Sequence, residues 1–330
     1  MTFSTRGRSG IVLLALVALA LGASACGVTR GGDDPDSRRI RMMIPNSPGG
    51  GYDLTGRTAA HVMENEGITG RFEITNVIGA SGTVAMQRIL NEEGSDDLIM
   101  SMGLGVVGAT YTYDSDARVS DATPIAKLIE EQEAIVVPAD SPYKDIDDFL
   151  EAWKKDPKGI AVGGGSAPGG PDHLFPMQLA DKVGIDPVDV NFISYDGGGP
   201  LTSALLGEKI AAGVTGLSEF EGQIEDGTLR VLAVSGKERL DGVDAPTLKE
   251  SGVDLVFANW RGILAPPGLS DDQRAELTGL LEELHDSQGW QDALEANGWV
   301  DAFMTGDEFE EFLRAQDERV ESTLKELGLA

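Results

Sequence analysis

Five short apolar runs in this chain each end in a glycine-rich turn, and that punctuation limits the fold more than any other feature. Pro45-Asn46-Ser47-Pro48-Gly49-Gly50-Gly51-Tyr52-Asp53 follows Arg41 to Ile44. Asn76-Val77-Ile78-Gly79-Ala80-Ser81-Gly82-Thr83 closes the run from Phe72, and Ser101-Met102-Gly103-Leu104-Gly105 the run from Leu98. Further on, Gly163 to Gly170 (GGGSAPGG) follows Ile160 to Val162, and Tyr195-Asp196-Gly197-Gly198-Gly199-Pro200 follows Val190 to Ser194. Each unit reads as strand, tight turn and helix start, which is the grammar of an α/β fold. The units come in two sets, separated by the long extended stretch Pro124 to Pro138. A second extended stretch, Leu255 to Pro266, completes a pair of crossings between two lobes.

Helices are expected at 54–64 and 83–91 in the first set, and at 146–154, 171–182, 201–206 and 219–225 in the second. Strands are expected at 210–214 and 229–234 as well. The C-terminal part reads as helical cover. Ser270 with Gln273 and Thr305 with Glu308 form two capping-box patterns ahead of apolar stripes. The second stripe runs Phe309, Phe312, Leu313, Gln316, Val320, Leu324 and Leu327, with Gly328 closing it. No internal repeat and no coiled coil is visible. The expected organisation is lobe one at 40–123 with 259–330, and lobe two at 124–258.

The turns are also where chemistry can sit. A glycine turn before a helix exposes backbone N–H groups, and the helix end adds partial positive charge. In open α/β sheets ligands lie beyond the C-terminal strand ends. Turns from two lobes therefore define a cleft suited to carboxylates. The candidate ligand-binding residues are Ser47, Pro48, Gly49, Gly50, Gly51 and Asp53, with Gly79, Ala80, Ser81, Gly82 and Thr83 from the second turn. The second lobe adds Gly164, Gly165, Ser166, Gly169, Gly170, His173, Tyr195, Asp196, Gly197 and Gly198. Several have a structural reading beside the functional one. Asp53 suits the N-cap of the first helix. Ser81 and Thr83 either cap a helix or donate to ligand. Ser166 is a pocket donor or a solvent-facing loop serine. His173 is a carboxylate donor or a surface residue, and Tyr195 lines the cleft or packs at a strand end.

Gly103-Leu104-Gly105-Val106-Val107-Gly108 matches G-x-G-x-x-G after a strand, but it is the third turn of its lobe and not the first βα turn that a dinucleotide site requires. There is no Walker loop and no G-x-S-x-G, so no catalytic residues are assigned. His61, His173 and His285 lack metal-ligand spacing, and a single cysteine leaves no thiols to join them. No metal and no cofactor is expected.

The N-terminus addresses the chain outside the membrane. Arg6 and Arg8, the apolar run Ile11 to Leu21, and Gly22-Ala23-Ser24-Ala25 before Cys26 form a secretory signal at 1–25. Cys26 directly after Ala-Ser-Ala is arranged as a lipidation site, the other reading being a plain signal peptide that happens to contain a cysteine, and a flexible tether is expected at 26–39. The formal charge is −29, or −31 once Arg6 and Arg8 are removed with the signal. That excess of acid disfavours nucleic acid and anionic lipid headgroups as partners. It leaves room for a small anion, because screening acts over about 8 Å at physiological salt.

Taken in order along residues 40–330, these pieces resemble the extracytoplasmic solute-binding receptors of tripartite tricarboxylate transporters, the Bug receptors. The matching stretches include PNSPGGGYD at 45–53, NVIGASG at 76–82, TPIAKLI at 123–129 and GGGSAPGGPDHL at 163–174. FISYDGGGP at 192–200, LRVLAVSGKERL at 229–240 and NWRGILAPPG at 259–268 continue the match. The resemblance implies a two-lobed type II binding-protein fold with mixed sheets, joined by two crossing strands. It also implies a monomeric, non-catalytic receptor that captures a di- or tricarboxylate or related organic acid for membrane permease subunits. A sensor of the same fold, reporting to a membrane signalling partner, is the alternative. Two departures matter. The family's second turn reads P-G-A-G-G, where this chain has Ile78 and Ser81, and the family's Y-K-G is Tyr195-Asp196-Gly197.

Overall fold

Alternating strands and helices assemble into two mixed sheets in the computed structural model, which describes residues 38–195, 197–240 and 242–329. Cys26 and Asp196 lie outside the described residues, as does the tether apart from its last two positions. Arg38 is docked and not loose: its carbonyl accepts from Gly70 N–H at 2.8 Å, and its guanidinium lies 3.7 Å from Asp96.

The first half of the chain contributes β1 (Ile40–Ile44), α1 (Gly51–Asn65), β2 (Phe72–Asn76), α2 (Thr83–Leu90), β3 (Leu98–Gly103), α3 (Leu104–Thr112) and β4 (Thr123–Glu131). Then follow β5 (Glu133–Pro138), α4 (Ile146–Lys155), β6 (Ala161–Gly164), α5 (Pro171–Val183), β7 (Asn191–Ser194) and α6 (Gly198–Leu206). The remainder is β8 (Ala212–Gly216), α7 (Glu221–Glu225), β9 (Leu229–Val234), β10 (Asn259–Ala265), α8 (Asp271–Asp286), α9 (Gln288–Ala296), β11 (Val300–Thr305) and α10 (Gly306–Glu326).

Sheet one has the order β11-β4-β10-β3-β1-β2 and sheet two the order β7-β6-β8-β5-β9. The βα units give parallel pairs, β1 with β2 and β3, and β6 with β7 and β8. The antiparallel members are β10, set between β3 and β4, the edge strand β11 beside β4, and β5, set between β8 and β9. The chain leaves sheet one at Gln132, with β4 ending at Glu131 and β5 starting at Glu133. It returns between Val234 and Asn259, where Phe257 N–H donates to the Ser235 carbonyl at 2.9 Å. Both crossings thus run side by side beneath the turns.

Local sequence explains the helices. In α4, Ile146, Phe149, Leu150 and Trp153 fall on one buried face, and Asp145 caps the start by accepting from Asp148 N–H at 2.9 Å. Ser270 and Gln273 form the reciprocal box expected at α8. Thr305 does hold the N-cap position of α10, but its side chain makes no capping bond. Three elements escaped the sequence reading: α3, α9 and the edge strand β11. In α3 six of nine residues are buried and none is exposed, so it carries no polar face to reveal its period. One apolar cluster continues between the sheets' helices: Val107 of α3 and Leu174 and Phe175 of α5 belong to it, with the Phe175 and Phe257 rings 5.3 Å apart.

Candidate ligand-binding site

A cleft of about 790 Å³ lies where the turns of both sheets meet. From the first turn Ser47, Pro48, Gly49, Gly50 and Gly51 line it, and from the second Gly79, Ala80 and Ser81. From the other sheet come Gly165, Ser166, Gly170, Tyr195, Gly197 and Gly198. Asp53, Gly82, Thr83, Gly164, Gly169 and His173 were expected there and stand behind the wall instead.

Asp53, Thr83, Gly169 and His173 have identifiable structural work. Gly50 is the N-cap of α1, and Asp53 lies three residues inside the helix. Its carboxylate accepts from Gly49 N–H (2.9 Å), Asn76 Nδ2 (2.8 Å) and Arg57 Nε (2.8 Å), which pins the first turn. Burial opposes its charge, but the bonds from Asn76, Gly49 and Arg57 outweigh that and hold its carboxyl below the usual range. Thr83 is buried, and its hydroxyl donates to the Ala80 carbonyl at 3.1 Å. His173 is neither a surface residue nor a cleft donor. It is 6 % exposed, its Nδ1 accepts from Gly169 N–H at 3.2 Å, and its ring meets Phe192 edge-on at 4.9 Å. Burial pushes its pKa down to about 4.

The glycines of the dinucleotide-like motif are explained by close approach. A Cβ on Gly105 would lie 2.7 Å from the Tyr52 hydroxyl, and one on Gly108 would overlap the Gly169 carbonyl oxygen. Gly108 belongs to α3 and Gly169 to the turn ahead of α5, so this is a backbone contact between the two halves of the cleft.

Ser81 stands at φ +51° and Ala80 at φ +42°, a left-handed pair without glycine. Such geometry costs about 1–2 kcal/mol for an L-residue with a side chain. Ser81→Gly should therefore raise stability, by about 0.5–1 kcal/mol once glycine's extra chain entropy is set against the relieved strain. A thermal melt of the variant that matched or fell below the parent would refute the strain.

Sequence reasoning missed the charged floor. Arg261 of β10 lines the cleft and is 2 % exposed. It donates through Nη2 to Glu131 at 2.5 Å and through Nη1 to Thr55 Oγ1 at 3.2 Å. Glu131, also 2 % exposed, accepts in turn from Ser218 N–H (3.2 Å) and from the Ser218 hydroxyl. Asp172 and Glu219 line the cleft as well. Glu219 accepts from Gly198 N–H at 2.7 Å and from Thr215 Oγ1 at 3.1 Å. Glu133 is fully buried, and neither of its carboxyl oxygens has a hydrogen-bond partner. Burial, reinforced by the carboxyls of Asp172, Glu131 and Glu219, holds Glu133 well above the ordinary carboxylate range. Burial also raises Glu219, with Glu131 adding to it. Glu131 and Glu133 sit together on the outgoing crossing, but Asp172, Glu219 and Arg261 each lie far from them along the chain, so no local pattern joins the set.

Burial and the neighbouring Glu219 push the Asp172 pKa up to about 7. Between roughly pH 4 and 7 the folded form keeps a proton that the unfolded chain releases, so this group's contribution to stability is lost as pH rises. His173 acts with opposite sign, because the unfolded chain takes up a proton below about pH 6.5 that the folded form refuses until about 4. Removing only the first slope isolates it. Asp172→Asn should gain stability relative to the parent as pH rises from 4 to 7, by up to about 1.4 kcal/mol per pH unit. Parallel pH profiles from urea unfolding would disprove the assignment.

Two mixed sheets flanked by helices, with a polar cleft between their turns, define a two-lobed periplasmic solute-binding protein. Residues 57–329 match the model of the tripartite tricarboxylate transporter family receptor, and the chain belongs to that family. A Cupriavidus necator protein described as UPF0065 protein in gbd 5'region is 27% identical over 98% of this chain and 97% of its own length. Protein BugT of Bordetella pertussis is 24% identical over 96% of this chain and 97% of its own length. Among solved structures, a TctC solute-binding protein from Polaromonas without ligand superposes with TM-score 0.70 at 26% identity, covering 89% of this chain and all of that one. A Rhodopseudomonas palustris protein with adipate gives TM-score 0.78 at 20% identity, covering 89% of this chain and 99% of that one. MatC from the same organism, with bound malate, gives 0.72 at 20%, covering 87% of this chain and 99% of that one. These receptors are solute-binding proteins and not enzymes.

Proposed function

We propose that this chain captures a small carboxylate (a di- or tricarboxylate or a related organic acid) in the cleft and delivers it to the membrane permease subunits of a tripartite tricarboxylate-type transporter. The observation that carries the reading is the start of α1. Gly51 and Tyr52 line the cleft at a helix N-terminus, where N–H groups have no intrahelical acceptor, and Arg261 is packed against Gly51. The relatives that hold malate and adipate are consistent with it. The receptor works as a monomer whose lobes follow the two sheets, with the crossings at Gln132 and near Phe257 serving as the hinge. A lipid on Cys26 keeps it at the outer face of the cell membrane. Calorimetry against organic acids and neutral sugars tests the ligand class. Binding of at least one organic acid with micromolar affinity, about −8 kcal/mol, is expected, and binding of sugars alone overturns the reading. Cys26→Ser should release the protein from the membrane with ligand binding intact.

A further inference from the structure

The two walls of the cleft make opposite electrostatic demands. The sheet-one wall is positive: it carries the N-terminus of α1 and the Arg261 guanidinium. The sheet-two wall has helix ends of its own, but most of their first-turn donors are engaged. At α5, Pro171 has no N–H, Asp172 N–H donates to Ser166 Oγ at 3.1 Å, and His173 N–H donates to the Gly170 carbonyl at 3.1 Å. At α6, Gly198 N–H donates to Glu219, and Pro200 offers none.

What this wall presents is carboxyl oxygen. Asp172 and Glu219 converge on the Thr215 hydroxyl. A Cβ on Gly165 would stand 3.1 Å from that hydroxyl and 2.9 Å from Asp172 Oδ2, while Thr215 Oγ1 lies 3.1 Å from Glu219 Oε1. One hydroxyl proton cannot satisfy two carboxylates. Behind them Glu133 is sealed in with both carboxyl oxygens unpartnered. Arg261, which is already bound to Glu131, is the one Lys or Arg among the described lining residues. The site thus lacks a positive charge on its second wall, and a dianion spanning the cleft would set a carboxylate against Asp172 and Glu219. No group of three or more acids, histidines or cysteines among the described residues is placed to hold a metal ion.

We propose that the ligand is an amino carboxylate, with its carboxylate at the α1 and Arg261 wall and its ammonium between Asp172 and Glu219. This rests on the carboxylate reading above and narrows it. An ammonium brings three donors and a positive charge to two carboxyls that share one hydroxyl proton, and it eases the repulsion between Asp172 and Glu219.

The test is calorimetry on the detergent-solubilised full-length protein. The panel pairs L-aspartate and L-glutamate with succinate and glutarate, and adds the other standard amino acids, γ-aminobutyrate, malate and citrate. The expected result is an amine-bearing carboxylate that binds at least about tenfold tighter than its deaminated partner, with N-acetylation removing the advantage. Glu219→Gln should shrink that advantage to about twofold or less while the deaminated acid binds no more weakly; if that variant fails to fold, Asp172→Asn serves the same purpose. Di- or tricarboxylates binding as tightly as every amine-bearing acid would overturn the inference and leave the carboxylate receptor standing. Absence of binding by any organic acid would overturn both.

Discussion

Gly108→Val is expected to weaken ligand binding roughly ten- to hundredfold without unfolding the protein. The contact of Gly108 with the Gly169 carbonyl leaves no room for a side chain. Overfilling a packed contact costs about 1–3 kcal/mol, and each 1.4 kcal/mol is a factor of ten in affinity. The penalty falls on the form in which α3 meets the turn before α5. A lobe pair that can open escapes it, so the urea midpoint should move little while the bound state suffers. Small-angle scattering supplies the second readout. The parent should contract on adding ligand, and the variant should keep its unliganded radius of gyration. Unchanged affinity in Gly108→Val would mean that binding does not require this backbone contact.

Arg261→Met should destabilise the protein by about 3–5 kcal/mol, the usual cost of leaving one member of a buried ion pair alone. Here the survivor is Glu131, 2 % exposed, whose neighbours Glu133, Asp172 and Glu219 are all acids. Glu131 ends the outgoing crossing strand, Arg261 lies on the returning one, and Ser218 reaches in from the turn after β8. The pair therefore joins both crossings to the second sheet. The double variant Arg261→Met with Glu131→Leu should recover most of the loss, because an apolar pair of similar size avoids the stranded charge. Urea unfolding of the three proteins reads this directly. A single variant within 1 kcal/mol of the parent (about a fivefold change in the folding equilibrium) would show that the pair carries little of the stability.

The legible part of this molecule is local. Val162 before Gly163-Gly164 or Ile44 before Pro45 signals strand and turn within a few residues, and the helices at Ile146 and Asp271 declare themselves by caps and spacing. The glycine turns at 47–51, 79–81, 165–170 and 197–198 do come together at one cleft. What stayed hidden depends on distance along the chain or on uniform burial. Glu131 and Arg261 are 130 positions apart, and nothing at either position marks the other. Asp172 looks like an ordinary helix-start acid until the fold carries it to the Thr215 and Glu219 pair. Loop N–H groups were expected to face ligand, yet Gly49, Gly165, Gly170 and Gly198 donate within the protein, because a turn also has its own backbone to satisfy. The left-handed Ser81 is the converse case: the family's glycine at that step was readable as a departure, and its φ of +51° supplies the reason.

The bond from Gly198 N–H to Glu219 has a consequence for a protein that works outside the membrane. An unguarded helix end attracts any small anion, and chloride and phosphate surround such a receptor in great excess over nutrients. With its own carboxylate seated on it, the α6 end of the cleft is already quenched toward inorganic anions, while the start of α1 on the other wall stays open to a carboxylate. Only a group that satisfies the acid as well as the amide can dock on this wall, so common salts are kept off it before selectivity among nutrients begins.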